Sequence, residues 1–199
     1  MYSSNYLFKA AAKYSLGDVY FPYFNRTFEH FCSHQHTPYR TTPSGYSAGA
    51  VKGNILYFAY NFFELYYYTG SVVLREYLDN ILRQFLAGDL SISTNLPSMA
   101  RVTLTEDKAN KRAVAHFLFA PTVKRGAGVP GSSFFAKDVE VVEEFVPLGN
   151  IECEVAVAKK VRRVKLQPQN TEIAFTQTDG KCKFKIDSFS CHQMAVLEF

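Results

Sequence analysis

The sequence predicts the α+β fold class, in which a mixed N-terminal part precedes an all-β antiparallel sandwich. Two observations carry this prediction. Residues 71–87 repeat apolar side chains at helical spacing, and after Gly88 that period gives way to short β-prone segments separated by turn residues. With 199 residues, 47% of them apolar and 20% charged, the chain has the length and composition of one or two globular domains.

The N-terminal part, residues 1–88, begins with strand signals. Residues 19–24 are aromatic and β-prone, and Pro22 restricts that strand to an edge or an end of a sheet. Residues 46–60 predict a β-hairpin, because a Lys-Gly-Asn turn separates two apolar runs and its glycine and asparagine tolerate a positive φ.

Residues 71–87 predict the clearest helix of the chain. Ser71 is a good N-cap residue, and Gly88 follows the last apolar position as a helix terminator. The apolar stripe predicts one buried face. Its members are Val73, Leu74, Tyr77, Leu78, Ile81, Leu82, Phe85 and Leu86.

The C-terminal part, residues 89–199, has no helical period. About eight strand signals suit an antiparallel sandwich of immunoglobulin-like size. Asp179-Gly180 is a tight hairpin signal, and residues 89–97 are a linker or a first strand. The composition of residues 123–133 predicts a loop. The predicted strands cover residues 100–106, 112–121, 139–148, 151–158, 161–168, 171–178, 181–187 and 194–199.

Charge and hydropathy limit the classes of partner. The net charge of +4 is too small to indicate a nucleic-acid partner, and the basic run at residues 159–165 fits an edge strand with solvated cations. The most apolar run, residues 55–68, is too short to span a bilayer, so no membrane partner is predicted. The sequence does not establish the localisation; with no signal peptide visible and no CxxC spacing, a cytoplasmic one is favoured.

Residues 19–46 concentrate the groups able to do chemistry. On a helix capped by Asn25 or Thr27, His30 and His34 would share a face, as histidines do at many zinc sites, with Cys32 and His36 nearby. The alternative is a set of hydrogen-bonded polar groups that line a cavity without metal. The candidate substrate-binding residues are Arg26, His30, His34 and His36.

No self-contained catalytic set is predicted. A histidine can act as a general base and Cys32 as a nucleophile, but neither has an evident supporting group in the sequence. No catalytic residue, metal ligand or cofactor is therefore assigned. The tyrosine-rich run at residues 62–68 suggests either a sugar-stacking platform, as in a free-standing carbohydrate-binding module, or a core or subunit contact.

The segment FNRTFEHFCSHQHTP (residues 24–38) resembles the C-terminal part of large glycoside hydrolases that carry a beta-galactosidase trimerisation domain, a family 42-like arrangement. The resemblance covers nearly the whole chain, because later segments occur in a similar order. These segments are GYSAGAVKGNILYFAYNFFELYYYTG, VVLREYLDNILRQFLAG, LPSMARVTLTE and CHQMAVLEF.

The resemblance implies a catalytic barrel, then a flavodoxin- or amidotransferase-like α/β domain that mediates trimers, then a β-sandwich. This sequence matches the later half of the middle domain (residues 1–88) and the sandwich (residues 89–199), without the catalytic glutamates. The implied function is that of a non-catalytic C-terminal portion that assembles as a homo-oligomer, a trimer, or with a companion chain carrying the barrel. A carbohydrate is the candidate ligand.

Overall fold

A computed structural model describes residues 6–33, 37–86, 88–125 and 139–199. The chain forms two compact units, Met1–Asp89 and Leu90–Phe199. Within these described ranges, no helix is long and apolar enough to cross a membrane.

The first unit contains one β-hairpin, two α-helices and a short 3-10 helix. The predicted hairpin is confirmed, with Val51 opposite Leu56 and with Gly53 at a φ of 60° in the turn. The elements of this unit are the 3-10 helix Ala12–Tyr14, strands β1 (Gly49–Lys52) and β2 (Ile55–Phe58), and helices α1 (Phe62–Thr69) and α2 (Val72–Phe85).

Helix α2 confirms the helix predicted over residues 71–87. The Ser71 hydroxyl oxygen accepts a hydrogen bond from the backbone N–H of Leu74 at 3.5 Å, which is the N-cap geometry the sequence indicated. Leu74 and Ile81 are buried, whereas Val73 is 72% exposed. The apolar stripe is therefore wider than the face that this unit buries.

Residues 19–24 do not form the predicted strand. Beside the β1–β2 hairpin, this stretch and its neighbours contribute isolated bridges, and the described part of the first unit contains no parallel sheet. The flavodoxin- or amidotransferase-like assignment of this unit therefore stays a prediction. The bridges are Ser15–Ala50, Asp18–Ser47 and Pro22–Tyr39.

The second unit has the predicted antiparallel β-sandwich architecture. One sheet has the strand order β10-β9-β13-β5-β4, the other has the order β11-β12-β8-β3, and β6 and β7 form a separate ribbon. The strands are β3 (Ile92–Thr94), β4 (Arg101–Asp107), β5 (Arg112–Phe119), β6 (Val123–Arg125), β7 (Val139–Val141), β8 (Leu148–Ala156), β9 (Arg163–Gln167), β10 (Thr171–Ile173), β11 (Phe175–Thr178), β12 (Lys181–Phe189) and β13 (Cys191–Glu198).

The core of this unit lies between the two sheets and follows the period of two along each strand. Ala115 and Phe117 of β5 face the same core as Val155 of β8 and Ile186 of β12, and all four are fully buried. Outward-facing positions on the same strands carry charged side chains. One such row pairs Lys183 of β12 with Glu154 of β8, whose nearest atoms are 3.0 Å apart.

Three strand predictions in the second unit are wrong. Residues 139–148 were expected to form one strand, but β7 ends at Val141 and β8 begins at Leu148. Residues 171–178 were expected to form one strand, but the chain passes from one sheet to the other at Ala174 and so divides them into β10 and β11. The basic run was expected at an edge, but β9 lies between β10 and β13. Of the predicted loop, residues 123–125 form β6 and residues 126–133 lie outside the described ranges.

Candidate functional site

Residues 19–46 form one long excursion whose two limbs run antiparallel. The backbone N–H of Tyr23 donates to the carbonyl of Pro38 at 3.1 Å, so residues 23–38, here called the aromatic loop, close on themselves. Backbone hydrogen bonds of 2.9 Å join the limbs nearer the base. They link Val19 with Tyr46 and Phe21 with Arg40.

The part of the aromatic loop that the structure describes contains no helix, so the predicted helical turn is wrong. Thr27 Oγ1 accepts a hydrogen bond from the His30 N–H at 3.1 Å, as an N-cap does. The His30 carbonyl, however, accepts from the Thr27 N–H at 2.8 Å, which closes a turn instead of starting a helix. Arg26 Nη2 donates to the Ser33 carbonyl at 2.9 Å and ties this turn across the loop.

Two of the four candidate substrate-binding residues, Arg26 and His30, thus lie together in the loop. His34 and His36 lie outside the described residues, and with them half of the proposed metal cluster. Cys32 is a half-buried free thiol. Over the ranges that the structure describes, no group of three or more His, Cys, Asp or Glu side chains converges on a metal position.

Large aromatic side chains of the aromatic loop point into solvent. Phe28 is 89% exposed, and Phe31 and Tyr23 are also mostly exposed. Aromatic residues are enriched in the cores of protein interfaces, and exposed apolar surface marks sites of interaction. The loop therefore has the composition of a contact surface, with one arginine and one histidine beside the aromatic rings.

A groove of about 910 Å³ lies at the base of this excursion, where the two limbs meet helices α1 and α2. We call it the tyrosine groove. Its walls carry aromatic rings, one guanidinium and one carboxylate. The charged and aromatic residues that line it are Asp18, Tyr20, Phe21, Tyr39, Arg40, Tyr60 and Tyr77.

Tyr77 and Tyr60 stand together in the tyrosine groove. The Tyr77 hydroxyl donates a short hydrogen bond to the Leu16 carbonyl, which fastens α2 to the segment that enters the excursion. Burial, and secondarily the neighbouring Tyr77, raise the pKa of Tyr60 to about 12. Burial also raises the pKa of Tyr77. Both hydroxyls are therefore neutral at physiological pH and able to donate hydrogen bonds.

The tyrosine run does not form the flat platform that sugar stacking requires. Tyr67 and Tyr68 are exposed, but their ring planes stand at 75° to one another, with the centroids 5.3 Å apart. Tyr66 lies on the same short helix and is less exposed. A stacking surface built on these rings would have to rearrange first.

Two histidines that are far apart in the sequence meet on the outer face of the five-stranded sheet. His116 Nδ1 lies 3.4 Å from His192 Nε2, and the ring planes differ by 18°. The sequence alone left these residues isolated, because their contact depends on the pairing of β5 with β13. The groove residues Asp18, Tyr60 and Tyr77 were missed for the same reason: only long-range packing brings them to Arg40.

No protein-family model and no curated protein matches the chain. A solved structure does. Alpha-L-fucosidase isoenzyme 2 from Paenibacillus thiaminolyticus matches 100% of this chain with a TM-score of 0.87 and 34% identity, and the match covers 29% of that protein. The chain is therefore similar, in sequence and in fold, to one part of a glycoside hydrolase. The glycoside hydrolase resemblance is confirmed at this level, whereas the trimerisation assignment stays a prediction.

Proposed function

We propose that the chain is the non-catalytic C-terminal portion of a glycoside hydrolase, where it mediates assembly and completes a carbohydrate site on a catalytic domain. The observation that carries the proposal is the 34% identity to a glycoside hydrolase over the whole chain, with a TM-score of 0.87. Similarity of this extent supports a shared role in the assembled enzyme. The chain spans 29% of that enzyme, so the activity of the whole protein is part of the proposal.

The aromatic loop is the proposed contact element. Its exposed rings would lose solvent in a complex, and burial of each phenylalanine would contribute on the order of 2 kcal/mol to association. Arg26 and His30 would then face a partner surface, where a guanidinium and an imidazole can donate hydrogen bonds to sugar hydroxyls. The proposal also includes His34 and His36 as sugar-binding candidates, because they lie within residues 23–38 of the sequence. The partner is a second copy of the chain, as in a trimer, or a chain that carries the barrel.

The name of the similar enzyme favours an α-L-fucoside as the substrate of the parent protein over the β-galactoside that the family 42-like motif suggests. The chain alone should hydrolyse neither nitrophenyl α-L-fucopyranoside nor nitrophenyl β-D-galactopyranoside. Enzyme-like turnover by the purified 199-residue chain would contradict the non-catalytic assignment. Adding the catalytic domain of the parent enzyme should give turnover of one substrate, and that substrate identifies the parent activity.

Sedimentation velocity tests the assembly role. We expect the chain to self-associate, or to bind the catalytic domain, and Phe28→Ser to weaken that association about tenfold or more, because a buried ring is lost from the contact. Phe145→Ser is the matched control, since Phe145 is also an exposed phenylalanine but lies in the second unit. Equal effects of the two substitutions on association would contradict a role for the aromatic loop in the contact.

A further inference from the structure

The tyrosine groove has the size of a small-molecule site. Its volume of about 910 Å³ lies within the range of about 300–1,000 Å³ that ligand sites occupy. It is formed within the first unit, by the limbs of the excursion on one side and by α1 and α2 on the other. A ligand in it would contact the excursion and the helices together.

The groove offers aromatic surface to a ligand. Tyr20, Phe21 and Tyr39 all line it and all remain exposed. The faces of aromatic rings are electron-rich and attract polarised C–H groups, which the ring face of a pyranose presents. Leu65 of α1 and the largely buried Leu74 of α2 also line the groove.

The groove also offers charged groups that the protein does not use. Neither the Arg40 guanidinium nor the Asp18 carboxylate makes a hydrogen bond or an ion pair with any other residue that the structure describes, and the two are not paired with each other. An anionic ligand would be attracted by Arg40 and repelled by Asp18. A cationic ligand would be attracted by Asp18 and repelled by Arg40. A neutral ligand with several hydroxyls can accept from Arg40 and donate to Asp18 at once.

The Tyr60 hydroxyl adds a third polar group. Tyr60 lines the groove and is half-buried, and its hydroxyl makes no hydrogen bond to another described residue, whereas Tyr77 beside it already donates to Leu16. A half-buried phenol without a partner gains from a ligand hydroxyl that replaces water. The groove therefore combines aromatic faces, two opposite charges and a phenol with no partner among the described residues. A ring that carries several hydroxyls can interact with all of these groups.

We propose that the tyrosine groove binds a neutral glycosyl residue, with Arg40 and Asp18 bonding its hydroxyls and Tyr20, Phe21 and Tyr39 contacting its ring face. The inference rests on the proposed function, which makes a glycan the expected ligand class. It concerns binding by this chain alone, however, and needs no turnover. Methyl α-L-fucopyranoside and methyl β-D-galactopyranoside are the probes, and glucuronate is the charged comparison.

Saturation-transfer NMR titrations of the 199-residue chain test the proposal. We expect at least one neutral glycoside to bind, and Arg40→Met and Asp18→Asn each to weaken its binding about tenfold, because each removes a charge-assisted hydrogen bond. Arg83→Met and Asp79→Asn, on the solvent side of α2, are the matched controls and should bind as the unmodified chain does. Arg40 and Asp18 are both exposed, as are Arg83 and Asp79, so far-UV circular dichroism should show all four variants folded.

Three outcomes would overturn the inference: no binding of either neutral glycoside, tighter binding of glucuronate, or an effect of the groove substitutions on oligomeric state without an effect on binding. The last outcome would identify the groove as a protein contact. None of these outcomes bears on the lack of turnover or on the aromatic loop. Conversely, hydrolysis by the chain alone would contradict the proposed function and leave the binding result standing.

Discussion

His116 Nδ1 and His192 Nε2 lie 3.4 Å apart on neighbouring strands, although 76 residues separate them along the chain. The ring centroids are 5.6 Å apart, so both nitrogens lie close to the line between the centroids. Their lone-pair directions therefore oppose each other, and the N–H of one ring can donate to the other nitrogen. A single metal ion between them would need the two directions to converge, so the pair is a hydrogen-bonded couple that joins β5 to β13.

This couple predicts a measurable interaction energy. The single variants His116→Ala and His192→Ala should destabilise the second unit by amounts that do not add, with a coupling of about 0.5–1 kcal/mol. Chemical denaturation followed by backbone amide signals of β5 and β13 measures it. A control cycle of His192→Ala with Thr178→Ala, which lies on the other sheet, should be additive. Additivity in the histidine cycle would show that the contact contributes nothing.

The buried amide of Gln193 predicts a larger effect. This side chain is 2% exposed, its Nε2 donates to the Gln167 carbonyl at 2.7 Å, and its Oε1 accepts from Gln169 at 3.1 Å. Gln193→Leu removes the donor to the carbonyl of the half-buried Gln167 and the hydrogen bonds to the exposed Gln169, so we expect a loss of about 1–2 kcal/mol of unfolding free energy. Lys160→Ala, at an exposed position, should change it by less than about 0.5 kcal/mol. Similar losses for both would contradict the role of the amide.

The sequence predicted what short-range physics decides. Helix α2 followed from its own apolar stripe and from Ser71, and the β1–β2 hairpin from its turn residues, because such signals lie within a few residues of the structure they determine. The sandwich followed from about eight closely spaced strand signals separated by turn residues. The break at Ala174 did not follow, because a strand that changes sheets keeps the same alternation in its sequence.

The candidate site was predicted only in part because its geometry is long-range. Aromatic content suggested a strand over residues 19–24, but the opposite limb pairs with it only through isolated bridges and single hydrogen bonds, so no continuous ladder forms. A helical spacing of histidines was expected after Thr27, yet a backbone hydrogen bond back to Thr27 closes the turn. The sequence placed Arg40 within residues 19–46, the segment that concentrates groups able to do chemistry. Its grouping with Tyr60 depends on how the helices pack against the excursion.

Tyr77 fastens α2 to the segment before the excursion, and the strength of that tie is testable. Tyr77→Phe keeps the ring but leaves the Leu16 carbonyl without its donor, so we expect the first unit to lose about 1 kcal/mol of stability. All 13 tyrosines precede Leu90 and the chain has no tryptophan, so tyrosine fluorescence reports on this unit alone. Tyr68→Phe, at an exposed position, is the matched control and should be neutral. Equal stabilities of the two variants would contradict the tie.

The thiols of Cys153 and Cys182 predict alkaline destabilisation of the second unit. Burial, with smaller contributions from Cys182 and Glu154, raises the pKa of Cys153 to about 12, and burial raises the pKa of Cys182 to about 11; an unshifted thiol titrates near 9.0. Above pH 9 the unfolded chain therefore loses these protons while the folded chain keeps them. The stability contributed by these two protonated thiols is fully present below pH 9 and is lost as the pH rises towards 11–12.

Between pH 8 and pH 10.5 we expect the unfolding free energy to fall by about 3–4 kcal/mol more in the unmodified chain than in a Cys153→Ala/Cys182→Ala variant, which is about 2 kcal/mol for each thiol. The comparison isolates the thiols, because lysines titrate in both proteins and the second unit contains no tyrosine. An equal fall in the variant lacking the buried thiols would mean that other groups destabilise the sandwich at high pH.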